Sequence, residues 1–173
     1  ADGETAGRVP NGNSNPRIYS HGDDFEVTPL QLAVLVSEIS NGGKKVVPQI
    51  PVQRLERTGF RPKTDGNVDL PKRTLEGMLP GMVGAAEYGT AHRGVDASMG
   101  VAGKTGSCIG KGSWVGLFAS VAPVEDPKYS VVVITRGQGE RGKYAAAIAG
   151  QVYQALRPRI TRNFESDWAR RNL

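Results

Sequence analysis

The sequence predicts an α+β fold in which helices flank an antiparallel β-sheet. Three β-rich segments, residues 101–108, 114–122 and 129–136, are joined by turns so short that neighbouring strands must run antiparallel. Apolar residues recur at helical spacing both before and after these segments. The chain has 173 residues, of which 38% are hydrophobic, so it is long enough for one domain with a buried core.

The first helix is predicted over residues 29–41. Thr28 is suited to accept hydrogen bonds from the first free amides, and Pro29 suits the first helical position. Gln31 stands where it completes a capping box with Thr28. The run Asn41-Gly42-Gly43 follows, and these residue types tolerate the left-handed conformation that ends helices.

The segments around this helix are predicted to be irregular. Residues 1–27 are polar and rich in Gly, Asn, Asp and Ser, which indicates a loop. Residues 46–56 carry β-branched residues, but Pro48 and Pro51 remove donors from any ladder and limit the segment to an edge hairpin. Residues 58–70 are predicted to form a polar loop.

Two more helices are predicted from apolar stripes. The stripe over residues 71–88 is interrupted by Pro80, so we expect a kink or two short helices there. Residues 145–156 form a clean amphipathic pattern, and Pro158 is expected to end that helix. One amphipathic helix beside three strands predicts a sheet that the helix covers.

The net charge of +5 is concentrated at the C-terminus, where residues 157–173 hold five arginines and two carboxylates. We therefore predict one domain over residues 1–160, followed by a basic tail over residues 161–173. Such a tail is typical of a solvated end or of a patch that meets an acidic surface, and nucleic acid is not a predicted partner. The absence of a run of about 18 apolar residues excludes a membrane span in this chain. Cys108 is the single cysteine, which excludes a disulfide scaffold.

Residues 104–107 carry the strongest chemical signal. On a strand, Thr105 and Ser107 present two hydroxyls on one face, because alternate side chains share a face. Gly106 between them has no Cβ and lets a ligand backbone approach closely. Lys104 adds a cation at the border, and two hydroxyls with an ammonium suit a carboxylate. The pattern predicts a strand that binds the carboxylate of an extended peptide.

These residues have two other interpretations. The first is an ordinary strand that contains a glycine and a surface lysine. The second is a Walker A phosphate loop, because Gly103-Lys104-Thr105 matches its ending. The Walker motif requires a glycine where Ser98 stands and a helix after it, whereas the residues after Cys108 indicate a turn. The phosphate-loop interpretation is therefore excluded.

Four segments, in the same order along the chain, resemble the C-terminal portion of the transpeptidase domain of penicillin-binding proteins. The similarity extends over about residues 1–156. The segments are Gly3-Glu4-x-x-Gly7-x-x-Pro10; Val27-Thr-Pro-Leu-Gln-Leu-Ala33 with Ser40-Asn-Gly-Gly43; Gly81-Met-Val with Gly89-Thr-Ala91; and Val101-Ala-Gly-Lys-Thr-Gly-Ser107 with Trp114-Val-Gly-Leu-Phe and Ala122-Pro123.

This resemblance implies D,D-transpeptidase chemistry, in which a serine is acylated by the D-Ala-D-Ala end of a peptidoglycan stem peptide and the acyl group passes to an amine. It implies that Lys104 helps to hold a serine of the family's second motif. It also implies that the hydroxyls of Thr105 and Ser107, flanking Gly106, bind the carboxylate of the substrate or of a β-lactam. The amide of Ser107 would supply one oxyanion-hole donor, so Lys104 and Ser107 are the candidate catalytic residues. No cofactor and no metal are implied.

The sequence departs from the family at the nucleophile. No serine is followed by lysine three residues later, and no Ser-x-Asn triplet exists. We therefore expect that this chain alone forms no acyl-enzyme, and that the nucleophile half of the domain precedes it. Two alternatives stay open: a D,D-carboxypeptidase or β-lactamase, in which water replaces the amine, and a non-catalytic module that binds cell-wall peptide or a division partner.

Half a domain would expose the face that its other half covers. We therefore expect an apolar patch covered by the missing N-terminal half, by another chain or by a second copy. The resemblance further implies a location outside the cytoplasmic membrane, with an anchor in an upstream segment.

Overall fold

The structure is a computed structural model that describes residues 4–11, 15–49 and 63–172, with side chains through residue 160. The fold is α+β, as predicted. In the described residues, three strands form the main sheet, two short strands form a second one, and helices cover both faces of the main sheet.

In residues 4–11 and 15–27, the predicted loop is irregular except at helix α1, Arg17–His21, where the loop prediction is wrong. An antiparallel bridge joins Arg8 to Glu26. Two hydrogen bonds connect this segment to residues 28 and 31, at the start of the following helix. Gln31 Nε2 donates to Ala6 O at 2.8 Å, and the Thr28 hydroxyl donates to the Glu4 carboxylate. Gly3, the first residue of the similar segments, lies outside the described residues.

Helix α2, Pro29–Ser40, begins and ends close to the predicted bounds. The capping box is present: Thr28 Oγ1 accepts from the amide of Gln31 at 3.1 Å, and Gln31 Oε1 accepts from the amide of Thr28 at 2.9 Å. These two bonds satisfy amides that the helix itself cannot pair. After the helix, Gly42 has a φ of +80°, which a residue with a Cβ adopts only with strain.

The small sheet pairs β1, Lys44–Val46, with β2, Thr64–Asn67, in antiparallel fashion. The expected polar loop over residues 58–70 is therefore wrong at β2. A strand was missed there because its exposed residues form no apolar pattern and pair only through the backbone. Most of the predicted hairpin over residues 46–56 lies outside the described residues.

Helix α3, Lys72–Glu87, is continuous across Pro80, so the alternative of two separate short helices is wrong. Its buried side chains include Leu75 and Met82, which lie on the predicted apolar stripe. A 3-10 turn, Ala97–Met99, follows, and Asp96 caps it by accepting from the amide of Ser98 at 2.9 Å. The hydrogen bonds from Ser98 lower the pKa of Asp96 below its ordinary value.

The main sheet contains β3, Ala102–Gly110, β4, Ser113–Ala122, and β5, Tyr129–Gly137, in that spatial order. Both strand pairs are antiparallel, and the pairing of residues continues along each of them without a β-bulge. The three predicted strands are confirmed within two residues at each end. The prediction succeeded because short turns and β-branched runs determine both the order and the direction of the strands.

Helix α4, Gly142–Asn172, is longer than predicted. Pro158 lies inside it, so the predicted stop at Pro158 is wrong. A proline removes one backbone donor from a helix, and packing of the residues on either side offsets that loss: Tyr153 is 1% exposed and Ile160 is 7% exposed. The boundary between residues 160 and 161 stays a prediction.

Each face of the main sheet carries its own apolar cluster. One lies beneath α4, with Phe118, Ala145, Ala149 and Tyr153 among its members. The other lies beneath α2 and α3 and includes Val36, Met82, Ala102 and Val121. Close contact between α4 and the loop after α3 depends on glycine, because a Cβ on Gly150 would collide with the carbonyl oxygen of Gly94. In the described residues, no helix is both long and apolar enough to cross a membrane.

The buried hydroxyl of Tyr153 yields a prediction about alkaline pH. Ser120 Oγ donates to Val131 O at 3.0 Å, so the Tyr153 hydroxyl is the donor to Ser120 Oγ, also at 3.0 Å. Burial raises the pKa of Tyr153 above its ordinary value of 10.0. The unfolded chain therefore loses this proton at lower pH than the folded chain does, and the stability that the protonated hydroxyl contributes is lost as pH rises above 10.0.

We expect Tyr153→Phe to lower the free energy of unfolding at pH 7 by about 1 kcal/mol, the net worth of one hydrogen bond. Above pH 10.0 the wild-type advantage shrinks by up to about 1.4 kcal/mol per pH unit. Urea unfolding measured from pH 7 upward checks this. Tyr19→Phe is the matched control, because Tyr19 is 85% exposed. A constant difference between wild type and Tyr153→Phe across this range would contradict the prediction.

Candidate functional site

The predicted site residues all lie on β3, which we call the motif strand. It forms one edge of the main sheet: β4 pairs with one side of it, and within the described ranges no strand pairs with the other. An edge strand leaves backbone amides and carbonyls open to a further strand. The position of the motif on an edge is therefore compatible with binding of an extended peptide.

The side chains of the motif are divided between the two faces of the sheet. Thr105 lies opposite Phe118, which belongs to the cluster beneath α4. Lys104 lies opposite Ala119, which belongs to the cluster beneath α2 and α3. Ser107 follows Thr105 by two residues and shares its face. The two hydroxyls are thus on one face, and the lysine begins on the other.

The ammonium of Lys104 turns back toward the motif strand. Lys104 is exposed, and its Nζ donates to the main-chain oxygen of Thr105 at 2.7 Å. This bond places the positive charge of Lys104 against the main chain of the motif strand, rather than deep on the face from which the side chain begins. An ammonium has three N–H donors, so this bond leaves two for other acceptors.

Thr105 is 8% exposed, and its hydroxyl has a partner within the chain. Thr105 Oγ1 lies 2.5 Å from Thr90 Oγ1, and either atom can be the donor. Thr90 is exposed and follows α3 in the loop that leads to the 3-10 turn. In the sequence, Thr90 stands out only as part of the similar segment Gly89-Thr-Ala91, because nothing in the linear order of residues indicates that the two threonines meet.

Ser107 is exposed, and its hydroxyl accepts a hydrogen bond from the first turn of α4. The amide of Gly142 donates to Ser107 Oγ at 2.9 Å. First-turn amides have no acceptor within their own helix, so Ser107 satisfies one of them in the way that a cap does. The hydroxyl keeps its own proton, which remains for a further acceptor.

Two glycines allow α4 to begin directly on the motif strand. A Cβ on Gly142 would lie 2.7 Å from Gly106 O and 2.7 Å from Thr105 Cβ. Gly116 faces Ser107 in the register, and a Cβ there would lie 2.5 Å from Arg141 O. Both distances are closer than real side chains allow. Gly106 itself is partly exposed, and a Cβ on it would make only ordinary contacts of 3.5 Å with Leu117.

Cationic and aromatic groups border the site. The guanidinium of Arg141 stacks over the ring of Trp114, with Cζ at 3.5 Å from the ring centroid. Lys143 is exposed in the first turn of α4. The positive charges of Lys104, Arg141 and Lys143 favour an anionic ligand over a cationic one. Cys108 is also exposed on the motif strand. Among residues 4–11, 15–49 and 63–172, no group of three or more His, Cys, Asp or Glu side chains is arranged to hold a metal ion.

Comparisons with known proteins show the family of the chain and the fold that it shares with solved structures. A family model, the penicillin binding protein transpeptidase domain, matches residues 1–154. A peptidoglycan glycosyltransferase from Burkholderia ambifaria is similar in structure, with a TM-score of 0.65 and 23% identity over 91% of this chain and 51% of that chain. The D,D-transpeptidase domain of a peptidoglycan glycosyltransferase from Eggerthella lenta has a TM-score of 0.59 and 23% identity, over 87% of this chain and 37% of that chain.

Penicillin-binding protein A from M. tuberculosis, solved as its imipenem acyl-enzyme complex, has a TM-score of 0.62 and 23% identity. The match covers 78% of this chain and 32% of that chain. This chain thus spans between 32% and 51% of the length of these three structures. At this level of identity, the three likenesses establish a shared fold.

The bond between Ser107 and Gly142 yields a prediction about the first turn of α4. We expect Ser107→Ala to lower the free energy of unfolding by about 1 kcal/mol, because the Gly142 amide loses its acceptor. Hydrogen exchange of that amide should accelerate about fivefold or more. Amide exchange followed by NMR measures both effects. Ser130→Ala, at an exposed position on β5, is the control. An unchanged exchange rate at Gly142 would contradict the role of Ser107 as a cap.

Proposed function

Because the chain belongs to the penicillin-binding protein transpeptidase domain family, we propose that it is part of a peptidoglycan D,D-transpeptidase. Such an enzyme cross-links stem peptides through a serine acyl intermediate. In this proposal the chain supplies the substrate-binding strand with its KTG motif, Lys104-Thr105-Gly106, and does not supply the nucleophile.

The observation that carries the proposal is the gathering of three polar groups on one edge strand. The Lys104 ammonium lies 2.7 Å from the main chain of Thr105, and the hydroxyls of Thr105 and Ser107 share one face. A carboxylate accepts several hydrogen bonds at once and gains most from charged donors. The C-terminal carboxylate of a stem peptide, or the carboxylate of a β-lactam, has the chemistry that these groups bind.

Each group has a role in the proposed reaction. The Thr105 and Ser107 hydroxyls hold the carboxylate, and the Lys104 ammonium attracts it and helps to hold a serine of the second motif. Gly106 allows the peptide backbone to lie against the strand. The amide of Ser107 donates to the oxygen of the scissile carbonyl as negative charge develops on it, which lowers the energy of the tetrahedral intermediate.

The nucleophile is the part of the mechanism that this chain does not provide. Activation of a serine requires a base held next to it, and the family does this with lysine in a Ser-x-x-Lys motif. No serine of this sequence has lysine three residues later. The same observation favours a second candidate function, a non-catalytic module that binds cell-wall peptide through the motif strand.

We propose further that a polypeptide partner covers part of the surface. Tyr144, Ile148 and Val152 recur every four residues on α4 and are 48%, 42% and 40% exposed, so they form an apolar stripe along the helix. An N-terminal half of such a domain, another chain or a second copy would bury this stripe. Light scattering distinguishes a second copy from the other two. The proposed location is outside the cytoplasmic membrane, with anchoring through an upstream segment.

We expect the chain to bind N-acetyl-D-alanyl-D-alanine through its carboxylate. Lys104→Met should weaken binding about three- to tenfold, because one charge-assisted contact is lost. Added salt should weaken wild-type binding, since the charge is exposed and is screened. NMR titration of backbone amides measures the affinity. Lys72→Met, on the exposed start of α3, is the matched control. Equal affinities of wild type and Lys104→Met would contradict the proposed role of Lys104.

Incubation with a penicillin followed by intact-mass measurement tests whether this chain carries a nucleophile of its own. We expect no covalent adduct on the 173-residue chain, because it has no activated serine. A longer polypeptide that carries an upstream Ser-x-x-Lys segment should gain the mass of the penicillin. An adduct on the short chain would contradict the absence of a nucleophile. No adduct on either would favour the binding module.

A further inference from the structure

The hydrogen bond between Thr90 and Thr105 leads to an inference that rests on the proposed function. We infer that Thr90 is a positioning residue: when a ligand carboxylate binds, the Thr90 hydroxyl donates to Thr105 Oγ1, which orients and polarises the Thr105 hydroxyl so that its proton points at the carboxylate. The two oxygens are 2.5 Å apart, close enough for only one hydrogen between them.

A count of protons gives the direction of this bond. Each threonine hydroxyl has one proton and two lone pairs. If Thr105 donates to Thr90, no Thr105 proton is left for a ligand. A carboxylate only accepts hydrogen bonds, so its arrival selects the arrangement in which Thr90 donates to Thr105 and Thr105 donates to the carboxylate. Such a chain of hydroxyls polarises each member and strengthens the outer bond.

The loop around Thr90 is held in place by its own backbone. The amide of Gly89 donates to Gly84 O at 2.8 Å, and the amide of Ala91 donates to Ala85 O at 2.9 Å. Ala91 is 1% exposed and belongs to the core beneath α4. The residues on both sides of Thr90 are therefore fixed to the end of α3. A donor fixed in this way needs little reorganisation when a ligand binds.

The second hydroxyl of the site is arranged in the same way. Ser107 Oγ accepts from the amide of Gly142, which cannot act as an acceptor, so the Ser107 proton is free to point at a ligand. Both hydroxyls thus accept from a donor within the chain, and both offer one proton outward. Such a pair favours a ligand end that only accepts, and it disfavours an amide, whose NH₂ group would face a hydroxyl proton that it cannot accept.

The test compares two ligands that differ only at this end, N-acetyl-D-alanyl-D-alanine and its C-terminal amide. Affinities are measured by NMR titration for wild type, Thr90→Val, Thr90→Ser and Thr105→Val. Thr90→Ala is added because it also removes the hydroxyl but leaves more space in the loop. Thr74→Val, at an exposed position on α3, is the matched control. Thermal unfolding of each variant confirms that the protein is folded.

Wild type should bind the acid about tenfold more tightly than the amide. Thr90→Val and Thr90→Ala should bind the acid about three- to tenfold more weakly, with amide binding unchanged, and Thr90→Ser should restore the preference. A merely structural role would weaken both ligands equally and would overturn the inference. If Thr105→Val weakens acid binding but Thr90→Val does not, the inference fails and the proposed function stands. If wild type does not prefer the acid, the proposed function fails and the inference fails with it.

Discussion

Helix α4 begins directly against the backbone of the motif strand, and the arrangement of the site depends on this contact. Gly142 approaches Gly106 and Thr105 so closely that a Cβ would lie 2.7 Å from each. At this distance the Gly142 amide donates to Ser107 Oγ at 2.9 Å. Residues 145–160 of α4 then pack on the sheet, so this contact connects the larger of the two described apolar clusters with the polar groups of the site.

The elements that the sequence predicted well are those governed by neighbours along the chain. Thr28, Pro29 and Gln31 determine the start of α2 through two local hydrogen bonds. The three strands of the main sheet follow from β-branched runs and short turns. Pro158 was misjudged because its local cost is offset by burial of residues such as Tyr153, which a local pattern does not report. The strand Thr64–Asn67 was missed because it has no buried face.

In the site, too, the sequence predicts what depends on neighbouring residues and not what depends on distant ones. Its four residues, 104–107, are consecutive, so the sequence could identify them and could predict that Thr105 and Ser107 share a face. Their partners are distant in sequence: Thr90 precedes Thr105 by 15 positions, and Gly142 follows Ser107 by 35. These contacts depend on how α3 and α4 pack on the sheet. The burial of Thr105 is a consequence of the same packing, and the alternation of side chains along a strand gives the face of a residue but not its burial.

Cys108 is the one thiol in the chain, and it is exposed on the motif strand immediately after Ser107. It extends from the face opposite to the two hydroxyls, the face on which Lys104 begins. A fluorophore or spin label attached there would therefore report on the strand from behind the hydroxyls, without occupying the space in which a carboxylate is held. The chain thus carries its own position for spectroscopic labelling, with no need to introduce or remove any other sulfhydryl group.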